Sequence, residues 1–495
     1  MSSMMRSARR STVLALTPLV HGLALSSGAH GRHASLDCEH FDSCSGCKLS
    51  GLEWVRPPLL DQAEDYFEAR DVLLASKSMN SPAVGWRTSA RLAVRSQRDQ
   101  QLSIGLFREK SHIVEEIPCC AVHHPAINQV VNDIRRELIA FGDLSAYDEV
   151  NHCGVLRYLQ VSVERSTSLV QVVLVVNAPA LDAEPSIADF AAHLWTASTA
   201  DLHSIWVNLN PTTTNNILSY ADGAWQLLKQ RPAEGSSTTI PGSLVEHMAS
   251  GAAFVLPPYV FRQANLDAFD SIIAELCAAV PDGSRIVEWY AGVGVIGLAL
   301  AGRSEWVRCS DVNPPHEAFE ASRALLPPAS RERISYTIGR ASDRLEDARG
   351  ANVAIVDPPR KGLDAGLLRA LCEPRTTTDK SCAAAGDSGA CSSIGTLIYV
   401  SCGFHALERD ADELVRAGWA VRNSTASAYV LFPGANHIET VVIFDRKEAE
   451  RSSGTVLAAA STPRRANERP SRDPSTPRGR RLAAAKKRSR EGRSR

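Results

Sequence analysis

No run of the chain approaches the roughly 18 consecutive apolar residues of a membrane-spanning helix, so no membrane span is expected. No internal repeat is present either, which argues against solenoid and propeller architectures. Net charge is nearly absent, -1 over 495 residues, so the mean charge says little about partners. Asp and Glu are missing altogether from residues 1–36, a Ser- and Ala-rich stretch carrying Arg6, Arg9, Arg10 and Arg32. That is the composition of an organelle transit peptide, and a removable targeting segment or a disordered start is expected there. A chloroplast or mitochondrion is then the expected destination, and the cytoplasm or nucleus if the segment is not a transit peptide. The apolar stretch 13–26 also resembles a signal peptide, but secretion conflicts with the cysteine chemistry described below.

Hydrophobic residues make up 44% of the chain and charged residues 22%, the balance of an ordinary soluble protein with a large core. The near-zero net charge hides an asymmetry. Residues 464–495 hold 13 Lys and Arg against 3 Asp and Glu, so the remainder is acidic. Beyond Lys447 the text is rich in Ser, Pro, Ala and Arg and lacks the apolar area to offset ordering entropy, so 448–495 is expected to be a disordered basic tail. The 12 cysteines cluster near the N-terminus and scatter elsewhere, which fits metal binding and free thiols in a reducing compartment better than a disulfide framework.

Two textures divide what lies between. After the cysteine-dense stretch CEHFDSCSGCKLSG, Leu59, Leu60, Ala63, Tyr66 and Phe67 recur at helical spacing. From Trp86 to about residue 255 the runs RLAVRS, LSIGLF, VLRYLQVSVE and LVQVVLVV read as mostly antiparallel sheet with some helix. From Phe261, helix and strand alternate, the pattern of a doubly wound parallel sheet. The small, polar text of 371–395 reads as a surface insertion in that second domain. The expected fold is therefore α/β: an α+β domain over 37–255, then a Rossmann-like domain over 256–447.

The second domain carries three chemical signals at strand ends. The strand ending VEWY runs into Gly292-Val293-Gly294-Val295-Ile296-Gly297, a glycine turn opening a helix, and Asp311 ends the next strand. Such a turn lets backbone approach a nucleotide-like cofactor, and the carboxylate can accept both ribose hydroxyls. NAD and S-adenosylmethionine are equally compatible with it. Asp357-Pro358-Pro359 at the next strand end, an acid followed by two rigid prolines, is typical of nucleic-acid and amide methyltransferases, or else a plain strand-ending turn. Ile398-Tyr399-Val400-Ser401-Cys402 then delivers a thiol to the same edge. A lone cysteine is usually inert and buried, but carbon 5 of uracil is a poor nucleophile until a thiolate adds at carbon 6. That chemistry also needs a base to remove the carbon 5 proton, and Glu439, in a loop leading to the strand VVIF, is the candidate. The alternative for Glu439 is a solvated strand end.

Cys38, Cys44 and Cys47, in Cys-x5-Cys-x2-Cys, are one ligand short of a tetrahedral set. Cys120 or its neighbour Cys119 is the obvious fourth donor, with His123 and His124 as alternatives, for an iron-sulfur cluster or zinc.

Taken in this order, CEHFDSCSGC, WRTSARLAVR, IGLFREKSHIVEEIPCCAVHHPAIN and Phe261-Arg262-Gln263-Ala264-Asn265 resemble the RNA 5-methyluridine methyltransferase family over roughly residues 37–445. The resemblance implies an S-adenosylmethionine-dependent class I methyltransferase acting on a uridine of tRNA or rRNA. Cys38, Cys44, Cys47 and Cys120 would hold a 4Fe-4S cluster, and Gln263, Tyr290, Asp311 and Asp357 would line the S-adenosylmethionine site. Cys402 would be the nucleophile and Glu439 the base. RNA is the implied partner, and a monomer is expected. The chain departs from the family at Gly403, where Asn usually follows the cysteine, and at Val430, where an Asp commonly precedes the Phe-Pro pair. Its 362–399 insertion is long, and the small N-terminal RNA-binding barrel of many members is expected to be absent. Two other readings stay open: a class I methyltransferase for cytidine or a protein amide, and a non-catalytic RNA-binding iron-sulfur protein.

Overall fold

The computed structural model describes residues 38–77, 83–96, 102–232, 240–312, 316–373, 391 and 393–447. The expected targeting segment, the basic tail and most of the insertion lie outside these residues. Helix α1 (Pro58–Glu68) begins on a proline, whose missing N–H costs nothing in a first helical turn, and buries Leu60, Ala63, Tyr66 and Phe67. The short strand β1 (Leu73–Ser76) follows it.

The Val- and Leu-rich middle of the chain builds a seven-stranded sheet. Its strands are β2 (Ser89–Ser96), β3 (Leu102–Phe107), β4 (Val114–Glu116), β5 (Leu156–Val163), β6 (Val170–Val176), β7 (Leu202–Leu209) and β8 (Trp225–Gln230), in the order β4-β3-β2-β5-β6-β7-β8. Every neighbouring pair is antiparallel except β6 and β7, which the crossover helix α3 (Ser186–Ala197) joins in parallel. β6, VQVVLVV, is buried along its whole length, as a central strand covered on both faces must be. With α3, helix α2 (Pro125–Phe141) covers this sheet. The hairpin of β9 (Leu244–His247) and β10 (Ala253–Leu256) leads out of it.

The second sheet has nine strands. In chain order its segment runs α4 (Leu266–Ala279), β11 (Arg285–Trp289), α5 (Val295–Leu300), β12 (Trp306–Asp311), α6 (His316–Ala324), α7 (Pro328–Arg331), β13 (Ile334–Ile338), β14 (Val353–Val356), α8 (Ala365–Cys372), β15 (Thr396–Ser401), α9 (Phe404–Arg416), β16 (Trp419–Val421), β17 (Thr425–Tyr429) and β18 (Glu439–Arg446). The order β1-β17-β18-β15-β14-β11-β12-β13 is parallel except for β18, which runs antiparallel to β15, β16 and β17. This is the Rossmann-like class I methyltransferase fold, with β11 at the switch point where chain progression reverses across the sheet. Helix α9 shows why it forms: Phe404, Leu407, Ala411 and Leu414 repeat at helical spacing on its buried face. Each large apolar side chain fully buried there contributes about 1.5–3 kcal/mol. Among the described residues no helix is long and apolar enough to cross a membrane.

One boundary differs from expectation. Residues 58–76, assigned above to the first domain, pack on the second sheet: β1 pairs in parallel with β17, and Tyr66 on α1 donates to Asp412 on α9 at 2.8 Å and lies edge-on to Phe404. Four extended residues pairing with a strand some 350 positions away leave no local signature. The two sheets are tied by ionic contacts at one seam. Arg165 binds Glu246, Asp267 and Asp270 at 2.8–3.1 Å, and Arg262 binds the same Glu246 at 2.9 Å.

Candidate active site

The carboxyl ends of β11, β12, β14 and β15 open into a cavity of about 1080 Å³. Gln263, Tyr290, Asp311, Asp357, Cys402 and Glu439 all line it, so the structure brings together every cofactor and catalytic candidate named from the sequence.

The glycine turn after β11 is held open by sterics. Gly294 has φ +79°, and a Cβ there would come within 2.8 Å of the Phe319 ring. At Gly297 a Cβ would meet Glu288 Oε2 and Cys309 Sγ at 2.5 Å, so only glycine lets α5 approach the sheet this closely. The Gly292 amide donates to Asp311 Oδ2 at 3.0 Å, and Tyr336 donates its hydroxyl to the Gly292 carbonyl at 2.6 Å. Tyr290 adopts a left-handed backbone at φ +60°, a strained position for a bulky residue. Its hydroxyl donates to Asp364 Oδ2 at 2.8 Å, while Asp364 caps α8 through the Leu367 amide.

The Asp-Pro-Pro-Arg-Lys-Gly loop after β14 is fixed from below by Asp410, a fully buried α9 carboxylate that accepts from the Leu363 amide and the Tyr399 hydroxyl, both at 2.8 Å. At Gly403 a Cβ would stand 2.4 Å from the Arg360 carbonyl oxygen. The departure noted at that position thus has a steric reason: in this chain the proline loop presses against the residue after the cysteine. Val430, the other departure, is buried in the apolar core.

Strand register sets the pair that matters most. In the antiparallel ladder of β15 and β18, Ser401 lies opposite Thr440. Cys402 and Glu439 are the next residues beyond that pair, both line the cavity, and the Glu439 carboxyl acts on the Cys402 thiol. Burial pushes the Cys402 thiol up to about 11, helped by the carboxyls of Glu439 and Asp357 and opposed by Arg360. Glu439 is held well above the carboxylate range by burial and by Asp357, again opposed by Arg360. Its Oε1 lies 4.0 Å from His437 Nε2, and burial with the nearby Arg360 holds that imidazole below its ordinary range. Asp357 is raised to about 7 by burial and then by Asp311. Glu288, at the end of β11, is raised to about 8 by burial, against hydrogen bonds from Cys309 and Gly297. The sequence reading missed Glu288, Arg360, Asp410 and His437. Glu288 alone left a usable trace, as the single acid inside the apolar run IVEW.

A second cavity, about 300 Å³, is lined by Cys38, Cys44, Cys47 and Cys120. Cys119 is exposed and is not part of its wall, which separates the two adjacent candidates. His124 is engaged elsewhere, its Nδ1 accepting from the Ala126 amide at the start of α2, whereas His123 does share the wall. Burial and the neighbouring thiols raise Cys44, Cys47 and Cys120, Cys47 to about 12, while Arg87 favours their ionised forms at Cys47 and Cys120. Among the described residues no group of three or more His, Cys, Asp or Glu side chains is arranged to hold a single metal ion. Thiolates around one zinc, at about 2.3 Å each, must come within about 3.8 Å of one another. The four thiols instead line one shared space. Phe432 and Pro433, from the loop that leads to Glu439, line this cavity too.

No protein-family model matches the chain. An uncharacterized RNA methyltransferase of Protochlamydia amoebophila is 33% identical over 426 residues, covering 83% of this chain and 98% of that protein. One of Geobacter sulfurreducens is 28% identical over 433 residues, covering 85% and 79%. Among solved structures, the Pyrococcus abyssi tRNA (uracil-54, C5)-methyltransferase in complex with S-adenosyl-L-homocysteine matches with a TM-score of 0.55 at 20% identity, over 78% of this chain and 83% of that one. At that identity the likeness establishes the fold alone. The relationship to the Protochlamydia protein, over nearly its full length, places this chain in the RNA methyltransferase family.

Proposed function

We propose that the chain transfers a methyl group from S-adenosylmethionine to carbon 5 of a uridine in tRNA or rRNA, through a covalent bond between Cys402 Sγ and uracil carbon 6. The observation that carries this reading is that Cys402 and the buried Glu439, each next to the last paired residues of β15 and β18, line the cavity of the glycine turn together. Amide chemistry would not call for that pair. The solved uracil-54 enzyme with the same fold supports the reading.

S-adenosylmethionine would supply an electrophilic methyl on a positively charged sulfur. Gln263, Tyr290, Asp311 and Asp357 would hold it, with Asp311 suited to the ribose hydroxyls. The cavity fits a cationic ligand: Glu288 and Asp357 are carboxyls kept partly protonated by burial, and a neighbouring cation would let them ionise. Cys402 loses its proton and forms the bond to carbon 6, and Arg360 is the cation placed to favour the thiolate. Carbon 5, made electron-rich, would take the methyl as its bond to the sulfonium sulfur breaks, leaving a neutral thioether as the departing group. Glu439 then removes the carbon 5 proton, the carbon 6–sulfur bond breaks, and the thiolate departs. A carboxylate held above its ordinary range is a stronger base than one in water, which suits that step. Cys38, Cys44, Cys47 and Cys120 would hold a 4Fe-4S cluster that braces the Phe432–Glu439 loop.

The test is nucleoside mass spectrometry of RNA incubated with the protein and S-adenosylmethionine. The expected product is 5-methyluridine, absent with Cys402→Ser. A methylated cytidine, or turnover retained by Cys402→Ser, contradicts the proposal.

A further inference from the structure

Between the two sheets lies a third cavity, about 360 Å³, whose wall is unlike that of the catalytic cavity. Arg87, Arg91 and Arg262 line it, and no carboxylate does. The catalytic cavity by contrast carries six carboxylates, of Glu246, Glu288, Asp311, Asp357, Asp364 and Glu439, alongside the cations of Arg262, Arg340, Arg360 and Lys361. The two share Leu256, Phe261, Arg262, Gln263 and Phe432, so they are neighbours across one partition.

Arg262 is the unusual member. Its side chain is only 7% exposed, and its Nη2 is fully used, donating to Glu246 Oε1 at 2.9 Å, the Val163 carbonyl at 3.1 Å and Thr88 Oγ1 at 3.3 Å. Nε and Nη1 have no hydrogen-bond partner. Glu246, the one carboxylate it binds, is shared with Arg165 at 3.1 Å. A buried guanidinium with two unmet donor nitrogens is costly, and since both are closed off from solvent, an acceptor reaches them only when the partition between the two cavities shifts. Arg91 lies on the same wall, exposed, with only its Nε committed, to Gln160 Oε1 at 2.8 Å.

We propose that this cavity is an anion subsite for the RNA, seating the phosphodiester next to the target uridine on Arg262 and Arg91 while the base itself enters the catalytic cavity. The inference rests on the RNA-uridine reading above and adds a specific contact to it. With only its Nε committed, Arg91 keeps the Nη fork that matches two phosphate oxygens, while Arg262, its Nη2 committed, adds single donors. Such a contact sets the position of the strand without reading its sequence. A site free of carboxylates beside one rich in them divides the labour, with the strand's negative charge on one side and the cationic methyl donor on the other.

The test is fluorescence anisotropy with the full chain and a uridine-centred RNA nonamer, carrying either ordinary linkages or one neutral methylphosphonate on the 5′ or the 3′ side of the uridine. The parental protein should lose about tenfold or more in affinity at one of the two flanks. In Arg262→Gln and in Arg91→Gln that loss should shrink below about twofold. Arg91 is exposed, so its variant keeps the test open should Arg262→Gln fail to fold. Absent binding, indifference of the parental protein to both substitutions, or an undiminished loss in a folded variant would overturn the subsite. The readout is binding, so a product other than 5-methyluridine would remove the proposed reaction and leave this result standing.

Discussion

Replacing Asp357 by Asn should stabilise the cofactor-free protein, increasingly so as pH rises. The folded Asp357 carboxyl titrates near 7, raised by burial and then by Asp311, whereas an unfolded aspartate titrates near about 3.9. Between those values the folded state holds a proton that the unfolded state has released, so stability falls as pH rises from about 4 to about 7 and then levels off. At about 1.36 kcal/mol per pH unit the cost is about 1.5 kcal/mol at pH 5 and about 4 kcal/mol at pH 8. Cavity water reaches part of the side chain and screens it, which makes these figures ceilings. Asparagine carries none of this cost. Its advantage in urea denaturation without cofactor should therefore grow by up to about 2.5 kcal/mol between pH 5 and pH 8. Asparagine also removes the Asp357 charge that helps to raise Glu288, Glu439 and Cys402, which adds to its advantage in the same direction. Calorimetry should show the same variant binding S-adenosylhomocysteine more weakly. A difference that is flat in pH, or that shrinks on raising it, would refute the argument that this carboxyl is kept at a cost for the ligand.

Other perturbations separate the parts. Glu439→Gln should permit methyl transfer but slow release of RNA, so that adduct accumulates; rapid multiple turnover would remove Glu439 from the base role. Gly434→Ala should destabilise the protein by about 1–3 kcal/mol in chemical denaturation, because the residue has φ +84° and a Cβ would sit 2.2 Å from the buried Trp54 ring. An unchanged midpoint would mean that the contact between the cysteine segment and the catalytic loop yields freely. Anaerobic purification should give a brown protein containing iron and sulfide, and Cys47→Ser should lose both; bound zinc, or iron retained in the variant, would contradict the cluster.

The legible parts of the site were those written into contiguous text. Each parallel strand ends where its apolar run ends, so the glycine turn, Asp311, Asp357 and Cys402 could be placed on one sheet edge before any coordinates. Gln263 and Tyr290 came only through family resemblance, since no spacing rule points to them. What stayed hidden depends on long-range partners. Asp410 holds a loop 47 positions upstream, Arg262 meets a β5 carbonyl 99 positions away, and β1 joins a strand near the other end of the chain. Gly403 read as a loss against the family pattern, and only the approach of the Arg360 carbonyl gives its reason.

The claim beneath all of this is that the Cys402 sulfur bonds to the pyrimidine. It is tested most directly by incubating the protein with 5-fluorouridine-substituted RNA and S-adenosylmethionine and taking intact and peptide masses. Fluorine at carbon 5 cannot be withdrawn by a base, so the account predicts a stable protein–RNA adduct whose mass maps to Cys402 and which Cys402→Ala does not form. RNA methylated with no adduct, or an adduct on another residue, would contradict it.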